Sequence, residues 1–169
     1  MGKIKRSLLK TFLNTDPGKG EGHEVWSLIN KGVTSQNYQY NPETTTETYI
    51  GDDSASTSVD SYKVSVQTPM TAIQGEPVYD YIDGLRKKRA VGADCETQVL
   101  IVNAYDKQAG GAFSAELNQA TIQITEFGGD GGKPITLQFT IALNGDPTLG
   151  TAKIEANGKV TFTKTVVGG

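Results

Sequence analysis

The sequence predicts a mainly β domain, a β-sandwich or partly closed barrel carrying one flanking α-helix. Three observations predict it. Apolar and polar residues alternate along several segments, most clearly where Ile135, Leu137, Phe139, Ile141 and Leu143 alternate with Thr136, Gln138, Thr140 and Ala142; this is the period of a half-buried strand. Turn signals punctuate these segments, among them Gly128-Gly129-Asp130-Gly131-Gly132 and Asn157-Gly158, which close hairpins. Only one segment has convincing helical spacing, with Val78, Tyr81, Ile82 and Leu85 on one stripe.

The elements follow in chain order. Residues 1–22 read as an N-terminal arm, in which Ile4, Leu8, Leu9, Phe12 and Leu13 share one face of a short helix. Asp16-Pro17-Gly18-Lys19-Gly20 ends it. The arm is either a frayed terminus or a segment that docks on a neighbouring copy. Residues 23–164 form a single β domain. Strands are expected over residues 24–30, 34–40 and 44–50, with Asn41-Pro42 as the turn between the second and third. Residues 41–57 form a long polar loop. A strand over residues 58–68 puts Tyr62, Val64 and Val66 on one face and Lys63, Ser65 and Gln67 on the other.

The helix spans Pro77 to Lys88. Pro77 suits its first turn, and Asp80 and Asp83 precede Arg86, Lys87, Lys88 and Arg89 in the order that complements the helix dipole. The run Val99-Leu100-Ile101-Val102 within residues 95–105 is apolar on both faces, as in a central strand. Residues 106–114 read as a flexible connection. Ile122 and Ile124 alternate with Thr121, Gln123 and Thr125 in the next strand. Asn144-Gly145-Asp146-Pro147 reads as a further turn, and residues 165–169 as an extended tail.

Composition narrows the function. The 169-residue chain is 36% hydrophobic, which predicts a modest core and further apolar surface buried between subunits. Its net charge of −3 argues against tight nucleic-acid binding, which needs clustered Lys and Arg. The one cysteine, Cys95, leaves no intrachain disulfide and suits an intracellular, reduced product. No apolar run reaches the ~18 residues of a membrane span, so no membrane partner is expected. Lys10 interrupts the apolar segment that a leader peptide needs.

No constellation points to catalysis, and none implies a cofactor or a metal. His23 is the only histidine and lacks a nucleophile elbow around any serine. Asp52-Asp53 with Glu43 and Glu47 lacks calcium-loop spacing. The Gly128–Gly132 run lacks the Gly-Lys-Ser/Thr ending of a phosphate loop. Arg86-Lys87-Lys88-Arg89 reads as a solvated helix end, a seat for an acidic neighbour in an assembly, or a phosphate contact. The less ordinary feature is a set of mostly neutral hydrogen-bonding positions on strand faces: Asn37, Gln39, Lys63, Ser65, Gln67, Thr121, Gln123, Thr125, Thr136, Gln138 and Thr140. They form either a sheet face open to solvent or the lining of a water-filled passage.

The order of several segments carries a resemblance. Trp26-Ser27-Leu28-Ile29-Asn30-Lys31-Gly32-Val33-Thr34-Ser35, Tyr40-Asn41-Pro42-Glu43-Thr44, Tyr49-Ile50, the stretch from Tyr79 to Asp94 and Gly128-Gly129-Asp130-Gly131-Gly132-Lys133-Pro134-Ile135 resemble the tail tube proteins (major tail proteins) of long-tailed bacteriophages. The resemblance covers residues 25–162. It implies a structural virion protein, not an enzyme, made in the host bacterial cytoplasm and assembled into the tail. Such subunits form hexameric rings that stack into a tube, with inner strands merging into a continuous barrel through which viral DNA is ejected. The partners it implies are further copies of the chain, tape-measure proteins, tail-terminator or tail-tip proteins, and DNA in transit. A bare tail, a sheathed contractile tail and a bacteriocin particle are all compatible. Asn41, Pro42, Glu43, Gly51, Asp52, Asp53 and Ser54, on the long loop, are the expected subunit interface. The runner-up is a carbohydrate- or partner-binding β-sandwich using Tyr38, Tyr40 and Tyr49 as a stacking platform.

Overall fold

Among residues 1–166, which the computed structural model describes, ten strands and one α-helix follow in chain order. They are β1 (Leu9–Asn14), β2 (Trp26–Leu28), β3 (Asn37–Gln39), β4 (Pro42–Glu47), β5 (Ser56–Tyr62), β6 (Ser65–Thr71), α1 (Pro77–Lys88), β7 (Glu96–Lys107), β8 (Phe113–Gly128), β9 (Thr136–Ile154) and β10 (Val160–Lys164). Eight strands make one antiparallel sheet in the order β2-β1-β7-β8-β9-β6-β3, with β10 also paired to β9; β4 and β5 pair only with each other. Of the expected tail, residues 167–169 lie outside the described residues.

Two long strands organise the sheet. β8 has 16 residues and β9 has 19. β7 pairs with β8 only as far as Thr121, while β6 takes the first part of β9 and β10 the last. The sheet therefore has two halves that share β8 and β9. One consists of β2, β1, β7, the start of β8, the end of β9 and β10. The other consists of the end of β8, the start of β9, β6 and β3.

Apolar side chains explain why the halves stay together. Leu13, Val99, Ile101, Ile122, Val66, Met70, Leu137, Phe139 and Ile141 form one core with Val78, Ile82 and Leu85 of α1. Phe12, Leu100, Val102, Ala115, Ala152 and Val160 form a second. Alternate residues of a strand point to opposite faces, so β1 and β7 feed both cores. The consecutive apolar residues Val99 to Val102 are all buried, as expected of a central strand.

The helix has the expected bounds. Arg89 ends it in the left-handed conformation, with its N–H on the Arg86 and Leu85 carbonyls. Asp83 holds Arg86 through Nε at 2.8 Å and Lys87 at 3.1 Å. Burial alone would raise the Asp83 carboxyl; the hydrogen bonds from Arg86 and Lys87 outweigh it and hold it below the usual value.

The structure corrects several expectations. The apolar residues read as an arm helix form β1, a strand between β2 and β7. Phe12 and Leu13 are buried in different cores, and Arg6 fastens the preceding turn by donating to the Leu9 and Gln36 carbonyls. The stripe therefore finds its partners within its own chain. The turn expected at Asn144–Pro147 lies inside β9, where the register against β8 shifts between Leu117 and Gln119. A bulge takes up the extra residues and gives Pro147 a place without a ladder bond. The long loop is shorter than expected because its ends are β4 and β5, and the single strand over residues 58–68 is two strands broken at Lys63. Asn157-Gly158 does close a hairpin, with Gly158 N donating to Glu155 O at 2.9 Å.

Gly32 tests one close approach. Its φ is +80°, and a Cβ there would lie 2.5 Å from the Thr71 carbonyl oxygen, while Thr71 N donates to Gly32 O at 2.8 Å. Gly32→Ala is expected to cost about 3 kcal/mol, combining left-handed strain with overpacking. A urea midpoint matching the parent would contradict this packing.

Candidate functional site

Strand pairing turns the scattered polar positions into one surface. Asn37 pairs with Gln67, Gln67 with Thr140 and Thr140 with Gln123, a row across four strands. The next row is Gln39, Ser65, Ala142 and Thr121; beyond these, Gln138 lies between Pro69 and Glu126, and Thr136 between Thr71 and Gly128. Laterally paired residues project on the same side of a sheet. Asn37, Gln39, Ser65, Gln67, Thr121, Gln123, Thr136, Gln138 and Thr140 therefore share one face, and all are exposed or half-buried. The intervening residues Val66, Thr68, Met70, Leu137, Phe139 and Ile141 are buried on the reverse.

Two of the polar candidates sit differently. Thr125 is the extra residue at a bulge between Ile124 and Glu126, and its hydroxyl donates to the Gln138 carbonyl at 3.1 Å. Lys63 leaves the face altogether. It follows β5, and its Nζ lies 2.8 Å from Glu43, whose hydrogen bond and charge hold the ammonium above its ordinary pKa. The rows consequently carry no Lys or Arg; their charged members are Glu126 and, beside Thr121, Glu96 of β7.

The borders of this face are open. β3 pairs with β6 alone, and β8 has no partner on its β7 side beyond Thr121. Both edges present backbone donors and acceptors to solvent.

At one end of the face stands the β4–β5 ribbon. Every residue of both strands is exposed. Thr45 bonds Asp60 and Thr46 bonds Thr57 across it. At its base, Tyr40 meets the Tyr62 ring edge-on at 6.2 Å. Asn41, with φ of +44°, donates to the Lys63 carbonyl at 3.0 Å. The expected interface residues divide between this base (Asn41, Pro42, Glu43) and the tip (Gly51, Asp52, Asp53, Ser54). An isolated two-stranded ribbon is marginal in water, so this one calls for a covering surface. The polarity of the segment hid its strands from sequence reasoning, although its Thr-rich alternation was a signal.

The three tyrosines do not form one platform. Tyr38 packs against the first core, its hydroxyl bonds Thr11, and burial pushes its phenol up to about 12. Tyr40 and Tyr49 are exposed. His23 is exposed in the loop after β1. Cys95 donates to the Ala90 carbonyl at 2.9 Å, and burial raises its thiol pKa. Among the described residues, no three His, Cys, Asp or Glu side chains gather as metal ligands, and no helix is long and apolar enough to cross a membrane. An open groove of about 1140 Å³ beside Trp26, Leu117 and Phe162 is lined by none of the predicted site residues.

No protein-family model matches the chain, and no curated protein matches it. A solved structure does: the tail of an empty GTA (gene transfer agent) particle with C6 symmetry, at 12% identity and a TM-score of 0.56, covering 95% of this chain and 99% of that one. The likeness shows that this mainly β fold is also found in a particle tail.

Proposed function

We propose that this chain is a structural subunit of a phage-type tail tube: six copies close into a ring, rings stack, and viral DNA is ejected through the bore. The observation that carries the reading is the neutral polar face of four strands with both borders unpaired. Open strand edges invite pairing by another chain, and ring closure satisfies them. Six copies, the symmetry of the GTA tail that shares the fold, bring the strands β3, β6, β9 and β8 to twenty-four.

Geometry and charge support the reading. About 24 strands spaced ~4.8 Å and tilted ~45° have a backbone diameter of roughly 50 Å. Side chains take about 10 Å of that width, leaving room for a duplex and its water. The duplex carries a charge about every 1.7 Å along its axis, and a Lys/Arg lining would grip it through many counterion-releasing contacts. Gln, Thr, Asn and Ser with a few carboxylates let it slide. The partners are then the chain itself, a tape-measure protein, terminator or tip proteins at the ends, and DNA without tight binding.

Concentrated protein under negative stain is expected to show rings and tubes. A monomer at every concentration, with no cylindrical array in any particle, overturns the reading. Gln123→Lys combined with Gln138→Lys is expected to permit assembly and to slow DNA release about tenfold, since each added cation gains phosphate contacts. Unchanged ejection kinetics would take both residues out of the lumen.

A further inference from the structure

The two ends of the polar face carry opposite chemistry. From Pro42 to Tyr62 the ribbon holds five acidic residues, Glu43, Glu47, Asp52, Asp53 and Asp60, and no basic one. It also exposes Ile50 fully and Tyr49, Val59 and Tyr62 by more than half. The ribbon leaves the body where β6 begins, beside the Ser65–Ala142 pair.

β6 ends at Thr71 opposite Thr136, next to the β8–β9 turn. At this far end Arg86 of α1 lies over the Phe127 ring at 3.9 Å. Lys87, Lys88 and Arg89 continue the helix end, and Lys133 sits in the turn that follows Phe127; all four are exposed. Lys88, Arg89 and Lys133 have no ion-pair partner among the described residues. Phe127, Ile135 and Ile73 are exposed at the same end, where Ala72 N donates to Ile135 O at 2.9 Å.

The geometry points to this basic, partly apolar end as the seat for the acidic ribbon of a second copy in the next ring. The inference rests on the stacked-ring reading and adds to it the surface that receives the ribbon. The exposed apolar side chains at the two ends cover each other, and the free cations meet the ribbon's carboxylates. The two surfaces lie at opposite ends of one sheet, so the contact is head-to-tail and does not close on itself. Contacts of that kind build open filaments. Charge complementarity also rejects the reversed orientation, which would set ribbon against ribbon.

Full-length chains with reversed charge test it. Lys88→Glu with Lys133→Glu reverses the seat, and Asp52→Lys with Asp53→Lys reverses the ribbon tip. Each variant alone is expected to form rings but shorten tubes at least about tenfold under negative stain. Mixed one to one, the two variants are expected to co-polymerise, because each tip then meets a seat of opposite charge. Lys88→Ala with Lys133→Ala serves where reversal disturbs the thermal melt, and is expected to shorten tubes to a lesser degree. Parental tube length in the seat variants overturns the inference, as does a mixture that stacks no better than its components. Loss of rings in the parent chain itself marks failure of the hexameric reading, and the seat falls with it.

Discussion

Replacing residues 42–62 with a short Gly-Ser turn is expected to abolish tubes while leaving the domain folded. No side chain of β4 or β5 is buried, so the body loses no core contact. The Asn41 side chain still bonds the Lys63 carbonyl, which holds the new turn in place. Surface changes of this kind alter stability by about 0.5 kcal/mol in either direction, so the melt should match that of the parent. The effect on assembly should be near-total, because the ribbon carries the exposed tyrosines, Ile50 and five carboxylates. Light scattering and negative stain read both quantities from one preparation. Tubes of parental length would remove the ribbon from the interface.

Phe139→Ala carries the largest expected loss of stability. Phe139 is buried in the main core, opposite Thr68 and Ile124 in the strand pairing. Truncating a buried phenylalanine costs about 3–5 kcal/mol through lost transfer and an unfilled cavity. Domains of this kind have about 5–15 kcal/mol in total, so a third or more of the margin disappears. The ring stands on the reverse of the polar face, between Gln138 and Thr140 in sequence, so slack there also loosens the rows. A urea titration should show a lowered midpoint, and rings should become scarcer at fixed concentration. A loss under about 1 kcal/mol would mean that the site collapses around the deletion.

The features most legible in the sequence were those with one buried face. Gln138 and Thr140 between Leu137, Phe139 and Ile141 announce a half-buried strand, and pairing places them with Gln67 and Gln123. The stripe and charge order of α1 set its bounds correctly. β1 was hidden for the opposite reason: both of its faces are buried, so Phe12 and Leu13 are adjacent and, with Leu8 and Leu9, imitate helical spacing. Lys63 continued an alternation in the sequence but falls where the chain passes from ribbon to sheet. Asn144-Gly145-Asp146-Pro147 has the composition of a turn, yet tertiary pairing on both sides carries β9 through it. The Thr-rich ribbon lacks any apolar face, so its strands had no partner to predict from local pattern.

β8 and β9 pass without a break from one half of the sheet to the other. A pull on the lining is therefore transmitted along covalent backbone to β7, β1 and β10, with no compliant linker in between. Each subunit acts as a stiff lever, and a disturbance at one extremity of the conduit can travel its length as a mechanical signal.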